Sequence, residues 1–407
     1  MADFYDDLET RSADARAAAT ADALPALITH AKANVPGYAA ALAEIDPGSV
    51  QSTADLAALP VLRKSDLGAA QAAKRPLGGY FGTDTAPDHL FQSPGPIYEP
   101  GMRGGDFWRL GRFLHAAGLR AGDRVQNCFS YHFTPAGMMF DSAAATIGAT
   151  VFPAGVGQTE LQAGAMADLN ITAYAGTPDF LKVILEKADE LGLDTSQVTR
   201  AAVGGGPLFP QLYDFYAARG ISCLQCYATA DLGNIAYESA ARDGLIVDEG
   251  VIVEIVTPGT GTPVAPGELG EVLVTTLDPT YPLIRFATGD ISGILPGESP
   301  CGRTNLRIVG WRGRADQATK VKGMFVRPEQ VAALVARHPE ITKARVTVTE
   351  TDGHDTMAVA LEARGGTEAV FAESIRDVLK LRAEVSLVAP GSLPNDGKVI
   401  DDQRQFG

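Results

Sequence analysis

ITAYAGTPDFLKVILEKADELG, residues 171–192, carries two periodicities in succession. Its opening, ITAYAGT, is a short apolar run of strand length. From Pro178 onward the apolar side chains recur at the spacing of a helix. The same change repeats on both sides. Before it, DRVQNCFSY reads as a strand, MMFDSAAATIG as a helix, ATVFPAG as a strand and ELQAGAMADLN as a helix. After it come the strand RAAVGGG, the helix FPQLYDFYAARG and the strand ISCLQCYAT. Strands alternating with helices predict a largely parallel sheet covered by helices on both faces.

Further out the pattern changes. An alanine-rich stretch over 10–35, with Leu24, Leu27 and Ile28 at helical spacing, predicts a long opening helix. Residues 245–295 hold strand-like runs punctuated by Gly and Pro, which predict a smaller antiparallel sheet or barrel. After VGWRGRADQ the pattern resets. The helix RPEQVAALVARH, the strands KARVTVTE and TMAVALEA about a turn at Asp352–Gly353, a helix over 367–381 and the strand VSLVA predict a compact α+β unit. The fold class is therefore α/β: a large N-terminal domain (1–312, with a β-rich part at about 245–312) of mostly parallel sheet covered by helices, then a small α+β C-terminal domain (313–407).

A chain of 407 residues suits two domains, and 45% apolar with 20% charged residues is ordinary for a soluble globular protein. The net charge of −15 and the lack of a basic stripe exclude nucleic acid as partner. No apolar run could span a bilayer, and MADFYDDLET is acidic, unlike a signal peptide. A cytoplasmic location is expected, with no membrane partner. Cys128, Cys223, Cys226 and Cys301 form no disulfide framework. On a strand, Cys223 and Cys226 face opposite ways, so their C-x-x-C spacing favours a structural role over a metal or redox pair.

Four spaced stretches carry a resemblance: YATAD (227–231), YPLIRFATGD (281–290), GRADQATKVKGMFVRPEQV (313–331) and LPNDGKV (393–399). In this order they resemble the phenylacetate–coenzyme A ligase family of adenylate-forming enzymes. VLRKSDL (61–67), VFPAGVGQTELQ (151–162) and SPCGRT (299–304) look like that family in particular. The resemblance covers nearly the whole chain. It implies that a carboxylic acid, of aromatic type, attacks the α-phosphate of ATP to give an acyl-adenylate. The thiol of coenzyme A then displaces AMP, while a mobile C-terminal domain turns between the two halves. The partners implied are small molecules: a carboxylate, a nucleotide (ATP or AMP) and coenzyme A. A homodimer is left open.

The resemblance also assigns residues. Asp290, on a Gly-Asp turn, accepts the ribose hydroxyls; a turn-capping aspartate is the plain alternative. Arg314 stands beside ribose and α-phosphate, where a guanidinium suits phosphate geometry, or in an interdomain ion pair. Gly205, Gly206 and Pro207 border the adenine at the end of a parallel strand, where ligands bind and glycines admit a flat base, and Gly204 beside them belongs to the acyl pocket. Tyr227 would stack on the adenine, followed by Ala228 and Thr229. Asp231 stands where the family carries a glutamate that holds Mg²⁺, and its shorter carboxylate could still serve as the Mg²⁺ ligand through a water; Ala230 replaces a hydroxyl residue. Lys398 matches the catalytic lysine delivered by the C-terminal domain, Asp316 the hinge and Gly323 the glycine that lets pantetheine pass. Tyr131, Phe133, Tyr174 and Thr177 are expected in the acyl pocket. His132 there reads more readily as packed or solvent-facing than as a base. Only Cys301 remains at the CGR turn, so no zinc is expected.

One stretch departs from the family. SPGPIYEP (93–100) occupies the place of a phosphate loop that usually reads Ser-Ser-Gly-Thr-Thr-Gly-Lys-Pro. Pro94 and Pro96 remove N–H donors, and Glu99 stands where the lysine belongs. The reading is a rigid lid or substrate-facing wall, with Glu99 opposing an anion. It admits an alternative to the ligase: a relative that binds AMP, an acyl-adenylate or an acyl-CoA without using ATP.

Overall fold

The computed structural model describes residues 3–404 except 94–96, 207, 316–318, 322–323, 352–353 and 395–397. Its largest sheet has nine strands, and five of them are the run read from the sequence. Thr150–Phe152, Arg124–Asn127, Ala173–Gly176, Arg200–Val203 and Ser222–Thr229 lie side by side and parallel. Parallel neighbours need crossovers. The helices Ala136–Thr146, Thr159–Asp168, Pro178–Leu191 and Pro210–Ala218 supply them.

These helices cover both faces. Leu181, Ile184, Leu185 and Tyr216 build one core, while Phe113, Phe140 and Val125 build another on the other side. Cys223 belongs to the first and Cys226 packs against the second, as strand alternation requires.

Ser222–Thr229 is a junction. Its first half pairs in parallel with Arg200–Val203, and its second half pairs antiparallel with Gly233–Glu238, with a register shift between Tyr227 and Ala228. The YATAD motif therefore leaves the sheet where its direction changes, at the carboxyl ends of the parallel strands.

The strand-rich stretch after 245 divides between two sheets. Leu245–Val247, Arg307–Ile308 and Ile294–Leu295 extend the large one. Val251–Val256, Gly270–Thr276 and Phe286–Ser292 form an antiparallel sheet, joined in parallel by the distant Leu62–Arg63. Arg285 locks these parts together. It is fully buried, pairs with Glu254 at 2.9 and 3.0 Å, and donates to the carbonyls of Leu59 and Gly261, each at 2.7 Å.

The opening helix is Ala13–Asn34, capped by the Ser12 hydroxyl accepting from the Ala15 N–H. At the far end, Glu384–Val388, His354–Ala363, Ile341–Thr351 and Ile400–Asp402 form a separate four-stranded sheet. With the helices Pro328–Arg337 and Glu368–Leu379 it encloses a core of Leu334, Val346, Val359, Phe371 and Ile375. Among the described residues, no helix is long and apolar enough to cross a membrane.

Candidate active site

Asp290 sits on the strand Phe286–Ser292 behind Gly289, whose φ is +73°; a Cβ there would lie 2.7 Å from the Arg314 guanidinium. Glycine is thus needed both for the turn and for the close approach. The Asp290 carboxylate is buried and ringed by donors. The Tyr227 hydroxyl donates to one oxygen at 2.7 Å; the Trp311 indole N–H (3.0 Å) and Arg314 (3.4 Å) donate to the other. Arg314 also donates to the Thr288 carbonyl at 3.2 Å. Burial and the adjacent Asp290 push the Tyr227 phenol well up, so it remains a donor. Three residues far apart in sequence, Tyr227, Asp290 and Arg314, converge here. Sequence reasoning misses Trp311, whose side chain stays 46% exposed beside the buried carboxylate.

Gly204, Gly205 and Gly206 follow the strand Arg200–Val203. A Cβ on Gly204 would lie 2.9 Å from the Cys226 sulfur. One on Gly205 would be 3.7 Å from Phe129 and 3.9 Å from Thr177. These glycines and Thr177 therefore share one corner, at the carboxyl ends of neighbouring strands. Thr229 accepts the Leu232 N–H at 3.1 Å and closes the turn after Ala228.

Tyr131 accepts from the Asn127 amide at 2.8 Å and donates to Asp141 at 3.2 Å. Phe133, expected beside it, is 76% exposed, in a left-handed backbone conformation with φ +61°. Tyr174 is fully buried, and its hydroxyl donates to the Thr177 carbonyl at 3.1 Å. Lys398 forms an ion pair with Asp401 at 2.9 Å, within its own unit. Pro207, Asp316 and Gly323 lie outside the described residues.

The departing stretch folds as a hairpin of His89–Ser93 and Ile97–Gly101, with Phe91 opposite Glu99 and Ser93 opposite Ile97. Gln71 pins it by donating to the Tyr98 carbonyl at 2.7 Å and accepting its N–H at 2.8 Å. Glu99 is fully buried and turned inward. It accepts the Ser93 N–H at 3.1 Å and the Ser93 hydroxyl as well. This corrects the expectation that Glu99 faces a ligand. Burial, and next the charge of Asp231, push its carboxyl up to about 7, against the Ser93 bonds and Lys64. Asp231 is buried in turn and pairs with Lys64 at 3.0 Å.

A model of the AMP-binding enzyme family matches residues 107–277. The phenylacetate-coenzyme A ligase of Aromatoleum evansii is 28% identical over 373 residues, 87% of this chain and 83% of that protein. That of Escherichia coli (strain K12) is 28% identical over 424 residues, 97% of this chain and 95% of that one. Residues 107–277 thus match the AMP-binding enzyme family, and most of the chain is similar to phenylacetate–coenzyme A ligases.

Its fold matches that of solved ligase structures. A 2-hydroxyisobutyryl-CoA ligase in the postadenylation state, with R3-HIB-AMP, superposes with a TM-score of 0.82 at 24% identity, over 97% of this chain and 91% of that one. The anthranilate CoA ligase AuaEII, with anthranoyl-AMP, superposes at 0.56 and 18% identity, over 76% and 65%. The family model spans Gly204–Gly206, Tyr227 and Asp231 but stops short of Asp290, Arg314 and Lys398.

The resemblance implies Mg²⁺ at Asp231, and the donor set there does not fit it. Magnesium takes a near-octahedral shell of hard oxygens. One Asp231 oxygen is committed to the Lys64 ammonium, and both Glu99 oxygens are committed to Ser93. Among the described residues, no three His, Cys, Asp or Glu side chains are grouped to hold a metal.

Proposed function

We propose that the protein is an AMP-forming carboxylate–coenzyme A ligase acting on an aromatic acid. The observation that carries this reading is the ring of Tyr227, Trp311 and Arg314 about Asp290, in a chain similar to these ligases. A buried carboxylate held by three donors is preorganised to exchange some of them for two ribose hydroxyls. Gly205, Gly206 and Pro207 border the adenine, with Tyr227, Ala228 and Thr229 completing the nucleotide wall. Gly204, Thr177 and Tyr131 lie toward the acid.

In the first half-reaction a carboxylate oxygen bonds to the α-phosphorus and pyrophosphate leaves. Arg314, and Lys398 brought in by the C-terminal domain, stabilise the charge gathering on the phosphoryl oxygens. In the second, the coenzyme A sulfur bonds to the acyl carbon and AMP leaves. Asp316 serves as hinge and Gly323 as the passage for pantetheine between the two. Calorimetric titration with AMP, then pyrophosphate release with a panel of aryl and short-chain acids, tests the reading. AMP binding without release for any acid would reject the ligase.

A second reading is favoured by one observation: Glu99 already occupies the Ser93 donors that a phosphate would use. On that reading the protein binds AMP, an acyl-adenylate or an acyl-CoA and does not consume ATP. AMP binding with no pyrophosphate release separates it from the first.

A further inference from the structure

We propose that the ammonium of Lys64 serves as the resident cation at Asp231, in place of a divalent metal. The inference rests on the nucleotide-site reading for its purpose, but its chemistry is that of the free protein.

Lys64 is placed with care. It begins the helix Lys64–Ala73, directly after the strand Leu62–Arg63. That strand is fixed by its pairing with Phe286–Ser292 and by the Leu62 N–H donating to the Arg285 carbonyl at 3.1 Å. Asp66 accepts the Arg63 N–H at 3.1 Å and fixes the helix start. A cation in a helix's first turn opposes the dipole. The compensation comes from another part of the chain: Asp231 Oδ2 lies 3.0 Å from the ammonium, on a carboxylate only 2% exposed. Buried charges persist when they are paired, and here the pair is made across elements.

The other Asp231 oxygen is buried without a hydrogen-bond partner, as is the Tyr281 hydroxyl, and both residues line one small cavity. Phe107, Trp108 and Leu232 form its apolar side, and Arg109, Thr276 and Asp278 its polar side. Two carboxylates, Asp231 and Asp278, thus face one guanidinium inside the cavity, with the Lys64 ammonium on the other Asp231 oxygen. Like charges this close in a partly buried site repel strongly, and the repulsion doubles for a divalent ion. Lys64 therefore both neutralises Asp231 and excludes a metal from it.

The probe is Mn²⁺, titrated by electron paramagnetic resonance into wild type, Lys64→Met, Lys64→Gln, Asp231→Asn and Lys64→Met/Asp231→Asn, each with and without AMP. Wild type is expected to show no saturable site that depends on Asp231. Removing the ammonium should create one at least about tenfold tighter, or about 1.4 kcal/mol, and the double variant should lose it. Saturable binding by wild type that Asp231→Asn abolishes overturns the proposal. So does a folded Lys64→Met or Lys64→Gln that gains nothing. Failure of AMP to bind would sink the nucleotide reading instead, and leaves the metal titrations decisive.

Discussion

Glu99 reaches across its strand pair to Ser93: one carboxylate accepts both the backbone N–H, at 3.1 Å, and the hydroxyl of that serine. Backbone N–H groups and hydroxyls are what phosphate-binding loops offer to phosphate. Here a buried carboxylate uses them from within. A triphosphate would have to displace a group held by the fold itself. Glu99→Gln keeps the shape but weakens acceptance at Ser93, and should raise pyrophosphate release with a competent acid. Turnover by Glu99→Gln below a robust wild-type rate would show that the closed hairpin assists catalysis.

The same carboxyl makes stability depend on pH. Its ordinary value is 4.5, and burial, with Asp231 nearby, pushes it up to about 7. Between these values the folded chain holds a proton that the unfolded chain has lost. Stability therefore falls as pH rises through this window and levels off above it. Across the window the loss is about 1.4 kcal/mol for each pH step of one. Urea unfolding at about pH 5 and about pH 8 should show a loss in wild type that Glu99→Gln lacks. Equal slopes for the two proteins would refute the assignment.

What is legible in the sequence is local. The strands and helices from Arg124 to Thr229 announce themselves because their periodicities need no distant partner. The addition of Leu62–Arg63 to the strand at Phe286 is set by non-local pairing and leaves no mark in either segment. Motifs disclose Asp290, Tyr227 and Arg314, whereas Trp311 has no motif and joins them only through the fold. The sequence carries the sign of the Glu99 charge, but its inward direction depends on Ser93 and on burial. An aromatic residue such as Tyr174 looks alike in sequence in a core and in a site; its burial and its bond to the Thr177 carbonyl come only from the fold.

Removing the ribose acceptor should abolish nucleotide binding. Asp290→Ala deletes the group that Tyr227, Trp311 and Arg314 surround, and two lost charge-assisted bonds correspond to about 3 kcal/mol or more. Trp311 supplies an internal reporter, because its indole donates to Asp290 and the other tryptophan, Trp108, is buried. AMP should change the emission of wild type but not of Trp311→Phe. Calorimetry giving Asp290→Ala the wild-type affinity would remove this site from consideration.

The buried pair at Arg285 should matter to stability alone. Arg285→Met leaves Glu254, whose carboxyl burial already raises, without its counter-ion. It also frees the carbonyls of Leu59 and Gly261. Breaking such a pair on one side destabilises by about 3–5 kcal/mol. Denaturant unfolding should register this, and Glu254→Gln/Arg285→Met should recover part of it. A loss under about 1 kcal/mol would mean that the site relaxes to admit water.

The last prediction concerns Lys398. Its ammonium lies 2.9 Å from Asp401, whose carboxyl is held well below its ordinary value by the Gln403 amide first, then by Lys398 and Arg345. Among the described residues, the apolar core of this unit draws only on Val321 and later positions. Such a unit can turn without tearing a shared core, and a turn is what would carry Lys398 to the α-phosphate. Limited proteolysis should cut within 312–318, at a rate that AMP changes. Lys398→Ala should slow acyl-adenylate formation by about 100-fold or more, as losing one transition-state donor does. Thioester formation from a supplied acyl-adenylate should fall far less, because the lysine acts only in the first half. Equal losses in both halves would place Lys398 in the fold rather than in the chemistry.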